Sequence, residues 1–418
     1  MNTPGCSKLS TPIVLVAGAG PAGARLAERL ALQGLQVTLV ETLRDPAKVA
    51  FSSAAIPYGA LADLDVPRRA VAAIWRGWQL HDPEGGEHQW WSETDLGAVL
   101  DFGVLRQQLW QRAVEAGVEF LKGWQVMSVT AGSGRADVLL RSAAGCVQTR
   151  TAAWVIDATG QRRCLLGSPK ARGSRQIKPL LEGVGVEWII QGQSSDVAPW
   201  GDRLSFFLGS SWIPHGYGWI FPMAANRLKV GVCRLPPQAE GVHLPSASSF
   251  LKGILSRFGL DRLPVLDRHG GLLSSTLDRR EIHGQGRLIG VGDAVSTANL
   301  LGGEGIRSAL LSAEILAPLL AEACDRNLAG RSDQLERRLI SSYEKKLRQR
   351  LGWRWGVSAR LARRTWWGLA NNQADQRMSR LISGLSEKAS AEDLNSLLFD
   401  YRFERYGLRL LPYLIGWR

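Results

Sequence analysis

Ile13-Val14-Leu15-Val16-Ala17-Gly18-Ala19-Gly20-Pro21-Ala22-Gly23 is the stretch on which the fold turns. Five apolar residues running into glycine read as a short, buried parallel strand. From Gly23 to Leu32 the spacing becomes helical, with Leu26, Ala27, Leu30 and Ala31 on one face, and Gly34 stops the helix. Gln36 to Val40 then makes a second strand that ends at Glu41. A glycine-rich turn means little alone, but here it sits inside a βαβ unit. Gly18 permits the tight turn, Gly20 lets backbone approach a pyrophosphate, and Gly23 allows close helix–strand packing. Pro21 and Ala22 belong to the same phosphate-facing turn, where the helix N-terminus offers free N–H groups and a positive dipole end. Glu41 stands 21 residues after Gly20, placed to accept hydrogen bonds from both ribose hydroxyls. A carboxylate there repels a 2′-phosphate, which favours FAD or NAD over NADP.

Two distant stretches agree. Trp154 to Ala158 is another buried strand, closed by the Asp157-Ala158-Thr159-Gly160 turn. Leu288 to Val291 is a third, running into Gly292-Asp293-Ala294, where Asp293 is placed to bind ribityl hydroxyls. Gly302-Gly303-Glu304-Gly305-Ile306 opens the following helix and could aim its dipole at the N1–C2=O edge of a flavin, stabilising the anionic reduced form. Three stations in this order specify FAD more narrowly than any one of them. Asp157, Gly160, Asp293, Gly303, Gly305 and Ile306 therefore join the cofactor-binding set. Val126, in the strand-and-turn segment 118–129, is counted with them.

The pattern between the stations predicts an α/β protein. An FAD-binding Rossmann-like (glutathione-reductase-type) domain is formed by residues 12–60, 100–168 and 281–325. An inserted antiparallel β-sheet substrate domain comprises 61–99 and 169–280, and a helical C-terminal tail runs over 326–418. Leu105 to Ala116 reads as a helix, Val138–Arg141 and Val147–Ala152 as a hairpin, and Leu204–Leu208 and Leu228–Leu235 as strands.

The 418 residues carry a formal net charge of +13, which favours anionic partners or reflects an Arg-rich lineage. Five scattered cysteines (Cys6, Cys146, Cys164, Cys233, Cys324) without a CxxC pair argue against a disulfide framework or zinc site. The six histidines (His81, His88, His215, His243, His269, His283) lack HxxxH or HxH spacing, so no metal is expected. Met1 to Pro12 has no apolar targeting core, and no run reaches the roughly 18 apolar residues of a membrane span. A cytoplasmic protein, or one held peripherally on a membrane, is the expectation. Lys345 to Trp367 has eight Lys or Arg, no acid, and Trp353, Trp355, Trp366 and Trp367. Such a stretch suits a helix in an anionic membrane interface, or a helix whose Trp residues pack on the parent domain. Binding of single-stranded nucleic acid has the same signature, but nothing else in the chain points to nucleic acid.

The motif order resembles the FAD-binding fold shared with aromatic hydroxylases, and within it the chain resembles geranylgeranyl reductases. Gly303-Glu304-Gly305-Ile306 is similar to their GEGI, where hydroxylases carry GQG. Tyr217-Gly218-Trp219-Ile220-Phe221-Pro222, followed by Val230-Gly231-Val232, is similar to their YxWxFP strand and VG strand. The resemblance covers residues 12 to 325. It implies reduced FAD delivering hydride to a double bond of an isoprenoid or other apolar substrate, with NAD(P)H or a ferredoxin as electron donor. It also implies that Tyr217, Trp219 and Phe221 line a prenyl cavity; the residues alone equally allow them to be sheet core. Two departures stand out. Ser52 lies where many of these reductases have a cysteine near the flavin, so Ser52 is the candidate catalytic residue. Phe102 replaces an arginine that touches the FAD pyrophosphate, leaving Arg106, one turn later, as its substitute. An FAD-dependent monooxygenase and a lycopene-cyclase-like flavoprotein are the alternative readings.

Overall fold

The computed structural model describes residues 14–132, 134–167, 181–237, 244–275, 281–326 and 332–404. Outside them lie the N-terminal segment with Cys6 and Ile13, then His243, residues 169–180 of the expected substrate domain, and the end of the expected tail, 405–418.

Val14–Ala17, wholly buried, is the middle of a six-stranded sheet. Its strands are ordered Gly284–Gln285, Leu288–Gly290, Trp154–Asp157, Val14–Ala17, Val37–Glu41 and Glu119–Lys122. All neighbours run parallel except the first pair. A sheet of this kind needs cover on both faces. Helices Pro21–Leu32, Phe102–Glu115 and Ile306–Arg326 cover one, through Leu26, Leu30, Leu105, Leu109, Leu310 and Leu316. The other is closed by the antiparallel meander Trp124–Ala131, Ala136–Ser142 and Val147–Ala152, whose Val126, Val138 and Leu140 pack on Leu15, Val40 and Val155.

The second layer is a seven-stranded sheet, ordered Val265–Ser275, Leu181–Gln191, Arg227–Arg234, Gly216–Met223, Arg203–Leu208, Gly77–His81 and Glu87–Trp91. It is antiparallel except between Arg203–Leu208 and Gly77–His81. Alternation sorts its faces. Leu228, Val230 and Val232 pack against helix Ala247–Arg257, while Tyr217, Trp219 and Phe221 face a core completed by the C-terminal helices. A small fourth sheet, Ala55–Pro57, Gly97–Leu100 and Val71–Trp75, is not hydrogen-bonded into it but packs on its strand Gly216–Met223, so segment 61–99 feeds two sheets rather than one.

Some element ends differ from the sequence expectation. The helix expected from Leu105 starts at Phe102, because the Asp101 carboxylate caps the Val104 N–H at 3.2 Å. The helix expected from Gly303 starts at Ile306, because 302–305 is a turn with Gly303 at φ +66° and an Asn299–Glu304 bridge. The C-terminal region forms Ser332–Gly368, broken by non-helical Gly352, then Asn372–Lys388 and Ala391–Phe399. These helices are integral: Leu339, Tyr343 and Leu347 join the core under the parallel sheet, and Trp355, Trp366, Leu394 and Phe399 the core under the second sheet.

Candidate cofactor and substrate site

The glycine-rich turn is held from three sides. The Glu41 carboxylate accepts the Ala19 N–H at 2.7 Å, the Trp110 indole N–H donates to the Ala19 carbonyl at 2.6 Å, and the Gly18 N–H donates to the Val40 carbonyl at 2.8 Å. Its glycines serve different ends. Gly18 has φ +103°, and a Cβ there would lie 2.4 Å from the Ala158 carbonyl oxygen. A Cβ on Gly23 would lie 2.0 Å from the Gly18 carbonyl oxygen, so helix and strand meet only because it is absent. At Gly20 a Cβ would meet no protein atom within 4 Å. The chain therefore needs no glycine at Gly20 for its own packing, while a group approaching the turn does. The Ala22 and Gly23 amides, at the open N-terminus of the Pro21–Leu32 helix, donate to no described residue. Free amides, an open approach and a nearby carboxylate fit a pyrophosphate with its ribose.

The other expected contacts divide. Arg106 is buried, with its guanidinium on the Pro46 and Lys48 carbonyls and over the Phe102 ring. Burial lowers its pKa, partly opposed by Glu41 and Asp45. It braces the loop after Glu41. The Val126 side chain belongs to the core between meander and parallel sheet. Asp157 is wholly buried; one carboxylate oxygen accepts from Thr159, the other from the Leu165 and Leu166 amides, so its part is to shape the turn around Gly160. Gly160 itself has φ +71° with open space where a Cβ would be. Asp293 faces the start of the Ile306–Arg326 helix, its oxygens 3.8 and 3.9 Å from the position of a Gly305 Cβ. Burial pushes its carboxyl up to about 6, against hydrogen bonds from Thr297 and the Ala298 amide.

Two cavities adjoin. The smaller is lined by Ser52–Ala55 and Gly302–Ile306, with Trp78, Phe206, Phe221 and Phe399. The larger, about 350 Å³, is walled by Leu80, Leu208, Tyr217, Trp366, Met378 and Leu394 among others, with Arg364 and Arg377 its charged residues. Phe206, Gly302 and Leu398 line both, which makes them neighbours along one path. Of the three expected prenyl-cavity residues, Phe221 lines the smaller cavity and Tyr217 the larger. Trp219 lines neither; its indole donates to Glu187 at 3.1 Å inside the sheet face. The Tyr217 hydroxyl lies 2.6 Å from the position of a Gly303 Cβ, a second reason for glycine there, and burial holds it well above its usual pKa.

The site also rests on residues that sequence reasoning missed. Glu304 pairs with Arg307 at 2.8 and 3.0 Å and accepts the Tyr401 hydroxyl at 3.0 Å. Arg307 also donates to the Phe399 carbonyl, and the Trp366 indole donates to the Leu300 carbonyl at 3.0 Å. The C-terminal helices thus grip the turn that opens the Ile306 helix. Trp355 and Trp366 are buried in this contact, and the Trp367 indole donates to the Pro236 carbonyl at 3.1 Å. Only Trp353 of the four is largely exposed, at 65%. The basic Trp-rich stretch is thus chiefly a packing surface, and no described helix is long and apolar enough to cross a membrane.

Comparison with known proteins narrows the reading. A family profile described as lycopene cyclase protein matches residues 13–187. A digeranylgeranylglycerophospholipid reductase of Methanosarcina mazei is 24% identical, covering 94% of this chain and 90% of its own. That of Methanocella arvoryzae is also 24% identical, covering 81% and 83%. A geranylgeranyl bacteriochlorophyll reductase-like structure from Thermoplasma acidophilum superposes with a TM-score of 0.78 at 20% identity, over 96% of this chain and 99% of that one. The chain is an FAD-dependent oxidoreductase that resembles the geranylgeranyl reductases. The oxidoreductase shares its α/β architecture more loosely with a flavin-dependent brominase, at TM-score 0.64, 17% identity and 94% and 99% coverage. Likeness at that level speaks for the fold alone.

Proposed function

We propose that this oxidoreductase reduces carbon–carbon double bonds in the chain of a geranylgeranyl-type isoprenoid lipid, with FAD as the resident cofactor. The observation that carries this is the apolar cavity of about 350 Å³ abutting the smaller cavity lined by Ser52–Ala55 and Gly302–Ile306. A flexible apolar chain fits such a space, and the names of the similar archaeal reductases support the same class. On this reading residues 12–60, 100–168 and 281–325 form a glutathione-reductase-type FAD domain, 61–99 and 169–280 the substrate domain, and 326–418 the C-terminal region, whose described helices within 332–404 pack against the site.

Reduced FAD supplies hydride when bound; orientation and exclusion of water fall to the protein. Gly18, Gly20, Pro21, Ala22 and Gly23 would receive the pyrophosphate, Glu41 the ribose, Asp293 the ribityl chain, and Gly303, Gly305 and Ile306 the flavin ring. Arg106, Asp157, Gly160 and Val126 support these through loop, turn and core. Phe206, Phe221 and Tyr217 orient the lipid chain. The Ser52 hydroxyl, which has no partner among the described residues, is available at the cavity wall as a proton donor. The electron donor would be NAD(P)H or a small acidic redox protein of the ferredoxin kind, which the +13 charge favours.

The test is anaerobic reduction of the FAD-loaded protein followed by a geranylgeranyl lipid. A mass gain of two hydrogens per double bond is expected. Addition of one oxygen atom, seen only when oxygen is admitted, would transfer the assignment to a monooxygenase. An isomer of unchanged mass would transfer it to a cyclase-like reaction.

A further inference from the structure

Lys229 is 2% exposed, on the inward face of the seven-stranded sheet, and among the described residues no carboxylate pairs with it directly. Its ammonium donates to the carbonyls of Ser52 at 2.7 Å, Leu100 at 3.0 Å and Ser53 at 3.5 Å. Burial lowers its pKa, opposed by the field of nearby Glu187 and Asp101 and reinforced by Arg227. Glu187 is wholly buried, accepting from Trp219 and in contact with His269, which in turn meets the more exposed Asp267. A buried ammonium held by carbonyl oxygens is costly and calls for a return elsewhere in the molecule.

The return lies on the far side of the loop. Ser52, Ser53, Ala54 and Ala55 all line the smaller cavity, whereas Lys229 does not, so the loop separates the ammonium from the cavity. The peptides of this loop, like all those of the described residues, are trans. In a trans peptide the N–H points opposite to the carbonyl of the preceding residue. With the Ser52 and Ser53 carbonyls turned to Lys229, the Ser53 and Ala54 amides point toward the cavity. Neither donates to a described residue. Ala54 also holds a left-handed φ of 55°, unfavourable for alanine and kept by the hydrogen bond from the Leu100 amide to its carbonyl at 2.9 Å. Two successive unpaired amides in a half-buried wall form a concave donor site for an electron-rich atom.

We propose that Lys229 is a positioning residue that turns the Ser53 and Ala54 amides into a donor pair for the isoalloxazine edge of FAD. This rests on the FAD reading above. The donor pair and the Gly302–Ile306 turn line the same cavity, so the ring would meet two sets of backbone amides, one ordered by a helix start and one by a buried lysine.

The experiment is hydrogen exchange of the full-length protein with and without FAD, resolved to single amides, together with FAD titration of Lys229→Met and Lys229→Gln. In the wild type, FAD should slow exchange at Ser53 and Ala54 about tenfold or more, as at Ala22 and Gly23. Lys229→Met should lose the protection at Ser53 and Ala54 and bind FAD about tenfold more weakly. Lys229→Gln keeps amide donors for the carbonyls and should retain much of both. Protection at Ala22 and Gly23 with none at Ser53 and Ala54 would overturn the proposal while leaving the FAD reading intact. Protection at neither pair would overturn both. A Lys229→Met protein that keeps wild-type protection and affinity would overturn the role of the lysine, and if that variant does not fold, the wild-type comparison decides.

Discussion

Gly20 and Gly23 are three residues apart in one turn, yet alanine should act on them through opposite states of the protein. At Gly23 the new Cβ meets the Gly18 carbonyl oxygen at 2.0 Å and the Ala158 Cβ at 2.8 Å. Both belong to rigid backbone or to a side chain that cannot turn away, so strand and helix must part by about 1 Å. Overpacking of this kind costs about 1–3 kcal/mol, less about 1 kcal/mol from the better helix propensity of alanine. The apoprotein of Gly23→Ala should therefore melt earlier than the wild type. At Gly20 the backbone, φ −66° and ψ −179°, suits alanine, and a Cβ touches nothing within 4 Å. A poorer N-cap costs about 0.5–1 kcal/mol and the lower entropy of the unfolded chain returns about 0.4–1 kcal/mol. Apoprotein stability should stay within about 0.5 kcal/mol of the wild type. The methyl group instead occupies the approach left open for the pyrophosphate, and the same overpacking range, about 1–3 kcal/mol, corresponds to about 5- to 150-fold weaker FAD binding. Thermal melting of the apoproteins and titration by flavin fluorescence separate the two effects. Wild-type FAD affinity in Gly20→Ala, or wild-type melting in Gly23→Ala, would refute the division of labour.

Replacing Glu41 by Ala removes the acceptor of the Ala19 amide, and FAD affinity should fall about tenfold with the secondary structure intact, checked by titration and circular dichroism. Asp293 has its carboxyl raised to about 6 from 3.8, so between those values the folded protein keeps a proton that the unfolded chain releases. Stability from this group is full below about pH 4 and declines as pH rises to about 6, by about 2–3 kcal/mol. Asp293→Asn should remove that decline, seen as a changing difference between wild-type and variant apoprotein stability across the window. Tyr401→Phe leaves Glu304 without the hydroxyl at 3.0 Å and should cost about 1–2 kcal/mol, read as faster proteolysis within 391–404.

The parallel sheet was legible because its signals are local. Gly18, Gly20 and Gly23 lie within six residues, and Glu41 follows at the distance one βαβ unit imposes. Asp157 shows the limit of such reading: a carboxylate ending a buried strand looks alike whether it faces a ligand or, as here, its own turn. Trp219 was read with its strand neighbours, and its different part depends on Glu187, which only sheet pairing brings near. The tail carried no recognisable motif because its work is three-dimensional. Trp366 reaches Leu300, and Tyr401 reaches Glu304 across 97 positions. A Trp interleaved with arginines has one pattern for a membrane interface and for a packed helix, and the structure shows Trp355 and Trp366 packed. Lys229 left one trace, a charge inside the apolar run Leu228–Val232, without indicating that its partners are carbonyls some 177 positions away.

The central claim, that an FAD site joins an apolar lipid site, is tested most directly by flavin stoichiometry and its answer to lipid. The account predicts one FAD per chain after reconstitution, released on denaturation. Photoreduced under anaerobic conditions, that FAD should be reoxidised by a geranylgeranyl lipid in proportion to the double bonds lost. A chain that takes up no FAD, or whose reduced FAD is indifferent to the lipid and answers only to oxygen, would contradict it.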